Sequence, residues 1–594
     1  MNNTIQAVAI SNNDVVFIAW KSAKKIPNCL GFAVYRKDSK GAETALPAWV
    51  GFVGQTNPGW QAQTSAVWPV QKFTWRDLTA KRGETYTYRI VPMIGTPDHL
   101  LPQNSAALTT NLVTVTEKRG DFSAFFNRGI LSTQSLVHQL PAGPSGQPNY
   151  LTLKGRIDQP GDPLRNSLSG QLREAMLGLF ARARAEGGHL YCAIYELTDP
   201  ELEQQLLSAK DFVHLILSNT GTDDAENSPA RQALHEAGID VTDRMVGSGH
   251  IGHNKFAVYV DSKGSPQAVW TGSTNWTDTG LCAQSNNGIL VESPSLAAMY
   301  LDYWNRLKAD DSAQAIGFRS DNNRPHDVKA DGGSTEITLW FSPNTKQKSK
   351  PSGPSAATPA DMKVVFQAME GAKEAILFLV FQPGSPSIVD QAAQLQDANP
   401  ALFVHGAATD PAAAQDFDTH LFHRTAAQTD TDVVAAAAIN DQFGFWEKEL
   451  LKSGPSAHAI IHDKIVVIDP FSPNCVVVTG SHNLGYRASY NNDENLLIIH
   501  GNTQLAAAYA VHVMDVYDHY RWRFTLQRKG NAAWNGLSTV DTWQDKYFKP
   551  GAASAGELDF WMKAGAPAVP GVVNAPATRP SVAGQSLRVR GKHR

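Results

Sequence analysis

The sequence is poor in cysteine, in net charge and in long apolar runs. Four cysteines (Cys29, Cys192, Cys282, Cys475) are scattered over 594 residues with no Cys-x-x-Cys spacing. That argues against a disulfide framework and against a cysteine-ligated metal; Cys192 and Cys475, inside apolar strand-like runs, read as buried thiols. The formal net charge is only −4, so no overall field draws the chain to nucleic acid or anionic lipid, although a local basic groove stays open. No apolar run reaches membrane-spanning length, and the first twenty residues lack the basic and apolar regions of a signal peptide. These absences predict a soluble protein, cytoplasmic or exported by a signal-independent route, whose membrane contact would be peripheral.

What the chain has is length for several domains and 42% hydrophobic residues to fill their cores. Residues 1–117 read as all-β: Val15 to Trp20 and Phe32 to Tyr35 are strand-like, and Thr85 to Ile90 alternates with period two. Trp20 followed by Leu78, Gly83, Tyr86 and Tyr88 resembles a fibronectin type III module, where a tyrosine near a strand start ties down a corner. Residues 118–150, with the run Pro141 to Asn149, read as a linker. From there helix and strand patterns alternate in two similar stretches, 151–335 and 336–563. Residues 564–594 read as a disordered basic tail. Thr345 to Ala360, rich in Lys, Ser and Pro, reads as a flexible connector between halves or a mobile loop near the site.

The two stretches share a signature. The first holds His253-Asn254-Lys255, Asp261 and Gly272-Ser273-Thr274-Asn275; the second holds His462-Asp463-Lys464, Asp469 and Gly480-Ser481-His482-Asn483. The His and Lys of the two copies are 209 residues apart, and the Gly and Asn 208. One His-x-Lys means little in a chain with 18 histidines. Two copies, each followed at near-equal distance by Gly-Ser-x-Asn, are specific.

Alternate side chains of a strand share a face, so His462 and Lys464 point the same way. A turn at Gly480-Ser481 can bring Asn483 beside them. Each half then converges an imidazole, an ammonium and a carboxamide, and two halves face to face surround one point with six such groups. A phosphoryl group wants cationic and N–H donors on its non-bridging oxygens. One imidazole can attack phosphorus in line while the other protonates the departing alkoxide.

The paired pattern resembles the phospholipase D superfamily over roughly residues 150–530. The resemblance implies an α/β fold: two fused α/β/α-sandwich halves with pseudo-twofold symmetry, here preceded by the all-β sandwich. It implies His253 and His462 as catalytic residues, Lys255, Lys464, Asn275 and Asn483 as phosphate ligands, and a covalent phosphohistidine with no metal and no cofactor. Asp261, Asp469, Ser273, Ser481, Asn286 and Glu494 are supporting residues in this reading. Two departures stand out. The first copy has one residue more between Lys255 and Asp261 than the second has between Lys464 and Asp469, and Asn286 aligns with Glu494. If Glu494 backs His462, that ring holds a proton better and suits the general acid; His253, backed by an amide, suits the nucleophile.

Four further features have two readings each. His250 and His253 have a metal-like spacing, but no third ligand accompanies them. Tyr517, His519, Tyr520 and Trp522 fit packing against a sheet or a substrate wall. Trp276 fits an entrance or a core. The duplicate itself could be a decayed scaffold, which the intact His and Lys of both copies oppose. The expectation is a phosphodiester hydrolase, monomeric, acting on phospholipid headgroups and able to transfer to an alcohol; the alternatives are a nuclease of the same superfamily and a phosphate-binding module without turnover.

Overall fold

The computed structural model describes residues 6–57, 59, 61–129, 150–221, 224–352, 356–409, 433–435, 461–529 and 535–565. The expected tail therefore lies outside the described residues except for its first two positions. The chain is a mixed α/β protein preceded by an all-β region.

The all-β region is a two-sheet sandwich. One sheet pairs Gln6–Ser11, Val16–Lys21 and Thr74–Asp77; the other is built on Cys29–Asp38 and Thr85–Thr96. Trp20 is fully buried between them. The Tyr86 hydroxyl accepts from the Lys81 backbone N–H at 3.2 Å, and the Tyr88 hydroxyl donates to Asp77 at 2.9 Å.

Two eight-stranded sheets follow. The first comprises β1 (Lys118–Arg119), β2 (Phe122–Phe126), β3 (His189–Ile194), β4 (Val213–Thr220), β5 (Asp240–Val246), β6 (Lys255–Val260), β7 (Pro266–Gly272) and β8 (Asn287–Val291). The second comprises β9 (His326–Ala330), β10 (Thr335–Ser342), β11 (Ala375–Val380), β12 (Phe403–Ala408), β13 (Val433–Ala435), β14 (Ile465–Ile468), β15 (Val476–Gly480) and β16 (Glu494–His500). The spatial orders are β1-β2-β8-β7-β6-β3-β4-β5 and β9-β10-β16-β15-β14-β11-β12-β13. One order maps onto the other, strand for strand, so the duplication seen in the motifs extends to the whole topology.

The apolar strands explain the layers. Every residue of β11 is buried. Ile376, Phe378 and Val380 enter one core, while Ala375, Leu377 and Leu379 enter another. A strand apolar on both faces must be covered on both sides. Helix α1 (Pro163–Glu186) covers the first sheet with Leu164, Leu168, Leu172, Met176, Leu179 and Ala183, spaced three or four apart. It starts at Asp162, whose side chain accepts from the Leu164 N–H at 2.7 Å, and stops at left-handed Gly187. Helices α2 (Pro294–Ala309) and α3 (Thr503–Lys529) follow β8 and β16 at matching places. Tyr517 and Tyr520 on α3 are buried, whereas Trp522 is 38% exposed.

Four boundaries differ from the sequence expectation. Residues 118–126, taken as linker, form β1 and β2 and extend the first sheet by pairing with β8; residues 130–149 lie outside the described residues. Strand β9, placed in the first half, belongs to the second sheet. The segment after Ser342 runs inside the second half, and its start is fastened by Arg319, which donates to the Gln347 and Lys348 carbonyls at 3.1 Å. Residues 541–562, placed in the second half, fold back on the N-terminal sandwich. There Trp561 meets Phe17 at 3.9 Å between ring centroids, and Trp543, Tyr547 and Phe548 surround Phe73. Short strands and aromatic-rich helices carry no address in a periodicity pattern; only the surface awaiting them decides where they dock.

An ion cluster completes that junction. Arg76 of the sandwich reaches Asp515 and, at 2.5 Å, Asp518 on α3. The Asp515 side chain is 1% exposed. Removing the arginine strands a buried carboxylate, which costs more than the pair contributes when intact. The variant Arg76→Ala is expected to lose roughly 3 kcal/mol of stability, read by equilibrium denaturation; a loss under about 1 kcal/mol, the scale of a surface pair, would show that the cluster does not hold the sandwich in place.

Candidate active site

The two signatures meet where the sheets face each other. Main-chain contacts set the register: the His462 N–H donates to the Ser285 carbonyl at 3.0 Å, and the Asp493 N–H donates to the Ile251 carbonyl at 2.9 Å. Side chains repeat it in pseudo-twofold fashion. Asn287 Nδ2 bonds Thr479 Oγ1 at 2.8 Å and the Tyr509 hydroxyl at 3.1 Å; Asn495 Oδ1 accepts from Thr271 at 2.7 Å and from the Tyr300 hydroxyl at 2.9 Å. All six residues are buried. Arg244 adds a buried clamp, bonding Asp493 Oδ1 at 3.2 Å across the interface and Asp310 at 3.0 Å.

This register brings the rings of His253 and His462 to 6.3 Å between centroids, nearly perpendicular at 78°. Both residues are almost wholly buried, as are Lys255, Lys464 and Asn275. Lys255 Nζ donates to the His253 carbonyl at 2.8 Å and Lys464 Nζ to the His462 carbonyl at 2.6 Å. Behind each pair stands an aromatic ring: Tyr195 lies 5.3 Å from the His253 ring, and Phe381 lies 5.2 Å from the His462 ring. Each lysine ammonium sits over the same ring as its histidine, at 5.3 and 5.4 Å. Neither aromatic was singled out in the sequence; both occupy the residue after a buried strand, β3 or β11, and only the fold brings them to the site.

The supporting residues cross over. Asn286 Oδ1 lies 3.0 Å from His462 Nδ1, and Glu494 Oε1 lies 3.2 Å from His253 Nδ1, an ion-pair contact rather than an aligned hydrogen bond. The sequence expectation had these partners the other way round. Its reasoning assumed that a histidine and its backing residue come from one half, whereas each ring projects far enough to be backed by the other. Ser273 Oγ bonds Asn286 Oδ1 at 2.7 Å and accepts from the Asn287 N–H at 3.0 Å. Ser481 Oγ accepts from the Asn495 N–H at 3.0 Å. The Asn483 backbone N–H donates to Glu494 Oε2 at 2.9 Å.

Asp261 and Asp469 are not at this site. Each follows the far end of its strand, β6 or β14, several residues beyond the lysine. Asp261 closes the following turn by accepting from the Lys263 and Ser265 N–H groups at 2.9 Å, and Asp469 accepts from the Lys373, Glu374 and Ala375 N–H groups at 2.8 Å. They shape turns. Trp276 is buried against Phe180, its ring in edge contact at 6.1 Å between centroids. His250 Nδ1 is paired with the Asn491 carbonyl at 2.9 Å.

Three buried carboxylates accompany the lysines: Glu494, Asp463, and Glu196, which the sequence did not flag. Glu196 follows Tyr195 at the end of β3, is 5% exposed, and accepts from Asn275 Nδ2. Burial, reinforced by Lys255 and Lys464, holds both imidazoles well below their usual pKa. Burial also drops Lys255 to about 7 against the pull of Glu196 and Glu494, and it holds Lys464 well below its usual value, with Lys255 adding to the effect. The resting site therefore favours two neutral rings, and an arriving anion shifts all four groups toward protonation. His482, between Ser481 and Asn483, is packed away from solvent with Asp361 3.3 Å from its Nε2.

Residues 366–515 match the family model described as cardiolipin synthase, PLD-like domain. No curated protein matches the chain. Among solved structures, the chain is similar to Nuc, a phospholipase D family member from Salmonella typhimurium (21% identity, 23% of this chain and 88% of that one, TM-score 0.20). It is also similar to phosphatidylserine synthase from Haemophilus influenzae (12%, 61% and 91%, TM-score 0.40) and to yeast tyrosyl-DNA phosphodiesterase (9%, 54% and 86%, TM-score 0.32).

The Asn495→Ala variant removes the acceptor of Thr271 and Tyr300 and the donor to Asn254 Oδ1, at 3.0 Å, in one step. Leaving these buried groups unpaired is expected to cost roughly 3 kcal/mol, measured by chemical denaturation; a variant as stable as wild type would mean that the interface is held elsewhere.

Proposed function

We propose that the chain is a metal-independent phosphodiester hydrolase that works through a covalent phosphohistidine. The observation that carries this reading is the pair of imidazoles 6.3 Å apart, flanked by one buried lysine from each half. With Glu494 and Asn286 beside the two Nδ1 atoms, Nε2 is the nitrogen proposed for chemistry on each ring. A phosphorus atom held between them by Lys255, Lys464, Asn275 and Asn483 is approached from opposite sides.

His253 is the proposed nucleophile, on a ground different from the one the sequence offered. When Nε2 bonds to phosphorus the ring becomes cationic, and the Glu494 carboxylate beside Nδ1 offsets that charge. His462, backed by a neutral amide, gives up a proton more readily and suits the acid that protonates the departing alkoxide. In the second step His462 takes a proton from water, the water oxygen bonds to phosphorus, and the P–N bond breaks to restore His253. An alcohol in place of that water gives transfer.

The substrate class proposed is a phospholipid headgroup ester. A net charge of −4 gives no general pull toward nucleic acid, and residues 366–515 match a model named for a lipid synthase. Among the described residues no helix is long and apolar enough to cross a membrane, so contact with lipid would be peripheral. The N-terminal sandwich, with three strands facing a sheet built on two long ones, is proposed as fibronectin type III-like and as a docking rather than catalytic part. With one site completed by two fused halves, the proposed unit is a monomer.

The test is a panel in EDTA: phosphatidylcholine and phosphatidylglycerol micelles, plasmid DNA and single-stranded DNA. The expected result is headgroup release, a loss of at least about 10³-fold in His253→Ala, and phosphate trapped on residue 253 after acid-free quenching. Cleavage of DNA alone would move the substrate to nucleic acid; no cleavage of any substrate, or an undiminished His253→Ala, would end the enzyme reading. The Glu494→Gln variant is expected to slow phosphohistidine formation by roughly 10²-fold, resolved in a single turnover; label on residue 462 would reverse the two roles.

A further inference from the structure

The two halves differ at the position after the aromatic wall. Strand β3 sets Ile194 opposite Lys255, and the β11–β14 register, which sets Leu379 opposite Ile465, places Val380 opposite Lys464 on the next step. Tyr195 and Phe381 are thus equivalent, as their matching ring distances confirm, and Glu196 is equivalent to Gln382. Gln382 is exposed, but Glu196 is buried and turned onto Asn275. Its backbone is pinned too: the Glu196 carbonyl accepts from the Trp276 N–H at 3.1 Å, locking the end of β3 to the Gly-Ser-x-Asn turn.

A buried carboxylate beside a phosphate-binding amide is costly unless it does something there. A primary amide has two N–H donors; Glu196 holds one, which fixes the plane of the carboxamide and points the other. Charge supplies the second reason. The site buries two lysines, and the groups facing them are His253, His462, Glu494, Asp463 and Glu196. Asp463 is already engaged by His512 at 3.1 Å, and Glu494 is in contact with His253. Glu196 acts on Lys255 more strongly than Glu494 does.

We propose that Glu196 is a positioning residue that anchors the Asn275 carboxamide and supplies counter-charge to the Lys255 ammonium, so that the first half of the site keeps its phosphate-binding form to a higher pH than it would without that carboxylate. This rests on the phosphodiesterase reading for its turnover assay but on phosphate binding alone for its second assay. The sign follows from Lys255, which titrates at about 7 with Glu196 present. Phosphate binding needs the ammonium, so activity falls as pH rises through that value; without Glu196 the fall begins at lower pH.

The experiment compares wild type, Glu196→Gln and Glu196→Asp on an aryl phosphodiester in EDTA from pH 5.5 to 9, an aryl leaving group needing little help from the general acid. The same proteins are titrated with inorganic phosphate by calorimetry at pH 6 and pH 8. The expected result is that Glu196→Gln shifts the alkaline limb of kcat/KM down by about one pH unit, with roughly tenfold loss at pH 8 and less than about threefold at pH 6. Phosphate affinity should weaken in parallel, and Glu196→Asp, which keeps the charge, should restore the limb. An equal loss at every pH, or no loss, overturns the proposal. Wild type that binds phosphate with the expected Glu196 dependence but turns nothing over would sink the enzyme reading alone; wild type that binds no phosphate at either pH sinks both.

Discussion

Everything in this protein depends on the register between its two halves. Two imidazoles can act on one phosphorus atom only if they stay within a few ångströms of a fixed separation, and misplacement of about 1 Å can cost two orders of magnitude in rate. The fold secures this with buried polar bonds rather than with apolar contact alone. The Asn287 and Asn495 side chains reach across to Thr479 and Thr271, with Tyr509 and Tyr300 closing each set. Apolar surfaces can slide; a buried amide with designated partners cannot, because each slipped register leaves its donors unpaired. The Arg244–Asp493 clamp works to the same end one residue from Glu494 and reaches back to α2 through Asp310.

The same interface delivers function by exchange. Each histidine takes its Nδ1 partner from the other half, so neither half holds a finished ring on its own. The machinery is thereby coupled to assembly: the bonds that set the register, at Asn287 and Asn495, are next in sequence to the groups that back the rings, at Asn286 and Glu494. The N-terminal sandwich joins this body through Arg76 and the aromatic contacts of Phe17 and Phe73, and the C-terminal helices return to cover it. The described core accordingly runs from Trp20 through both sheets to Trp561.

Much of this was legible beforehand, for identifiable reasons. Duplication gave the two halves, since equal spacing of His-x-Lys and Gly-Ser-x-Asn survives only if the strands between them keep their lengths. Continuous apolar runs such as Ala375–Val380 and Val476–Gly480 announced the central strands, and helices with clear three- and four-residue spacing fell where expected. What could not be read was partnership across distance. Spacing along the chain cannot tell whether Glu494 backs position 462 or position 253. It cannot show that Glu196, 57 residues before His253, ends a strand beside Asn275, or that Asp261 and Asp469, close to the lysines in sequence, are carried away from them by a strand rising about 3.3 Å per residue. Short edge strands such as Lys118–Arg119 have too few residues to show any period at all.

Divergence between the copies completes the logic of the site. Strict twofold symmetry would give both imidazoles equal affinity for a proton and for phosphorus, yet displacement on phosphorus requires one ring to attack while the other donates. Several differences break the symmetry, and two of them bear on His253 and Lys255. An amide at Asn286 faces a carboxylate at Glu494, and a buried carboxylate at Glu196 faces an exposed amide at Gln382. Because the halves exchange their supporting residues, Glu494 and Glu196 both end beside Lys255 although they come from different copies, while Asp463 acts on Lys464 and is engaged by His512. In the proposed mechanism the carboxylate beside His253 offsets the charge of a phosphorylated ring, and the amide beside His462 leaves that ring the readier to release a proton. A duplicated scaffold supplies paired geometry at no design cost, and chemistry begins where the duplicates stop being equal.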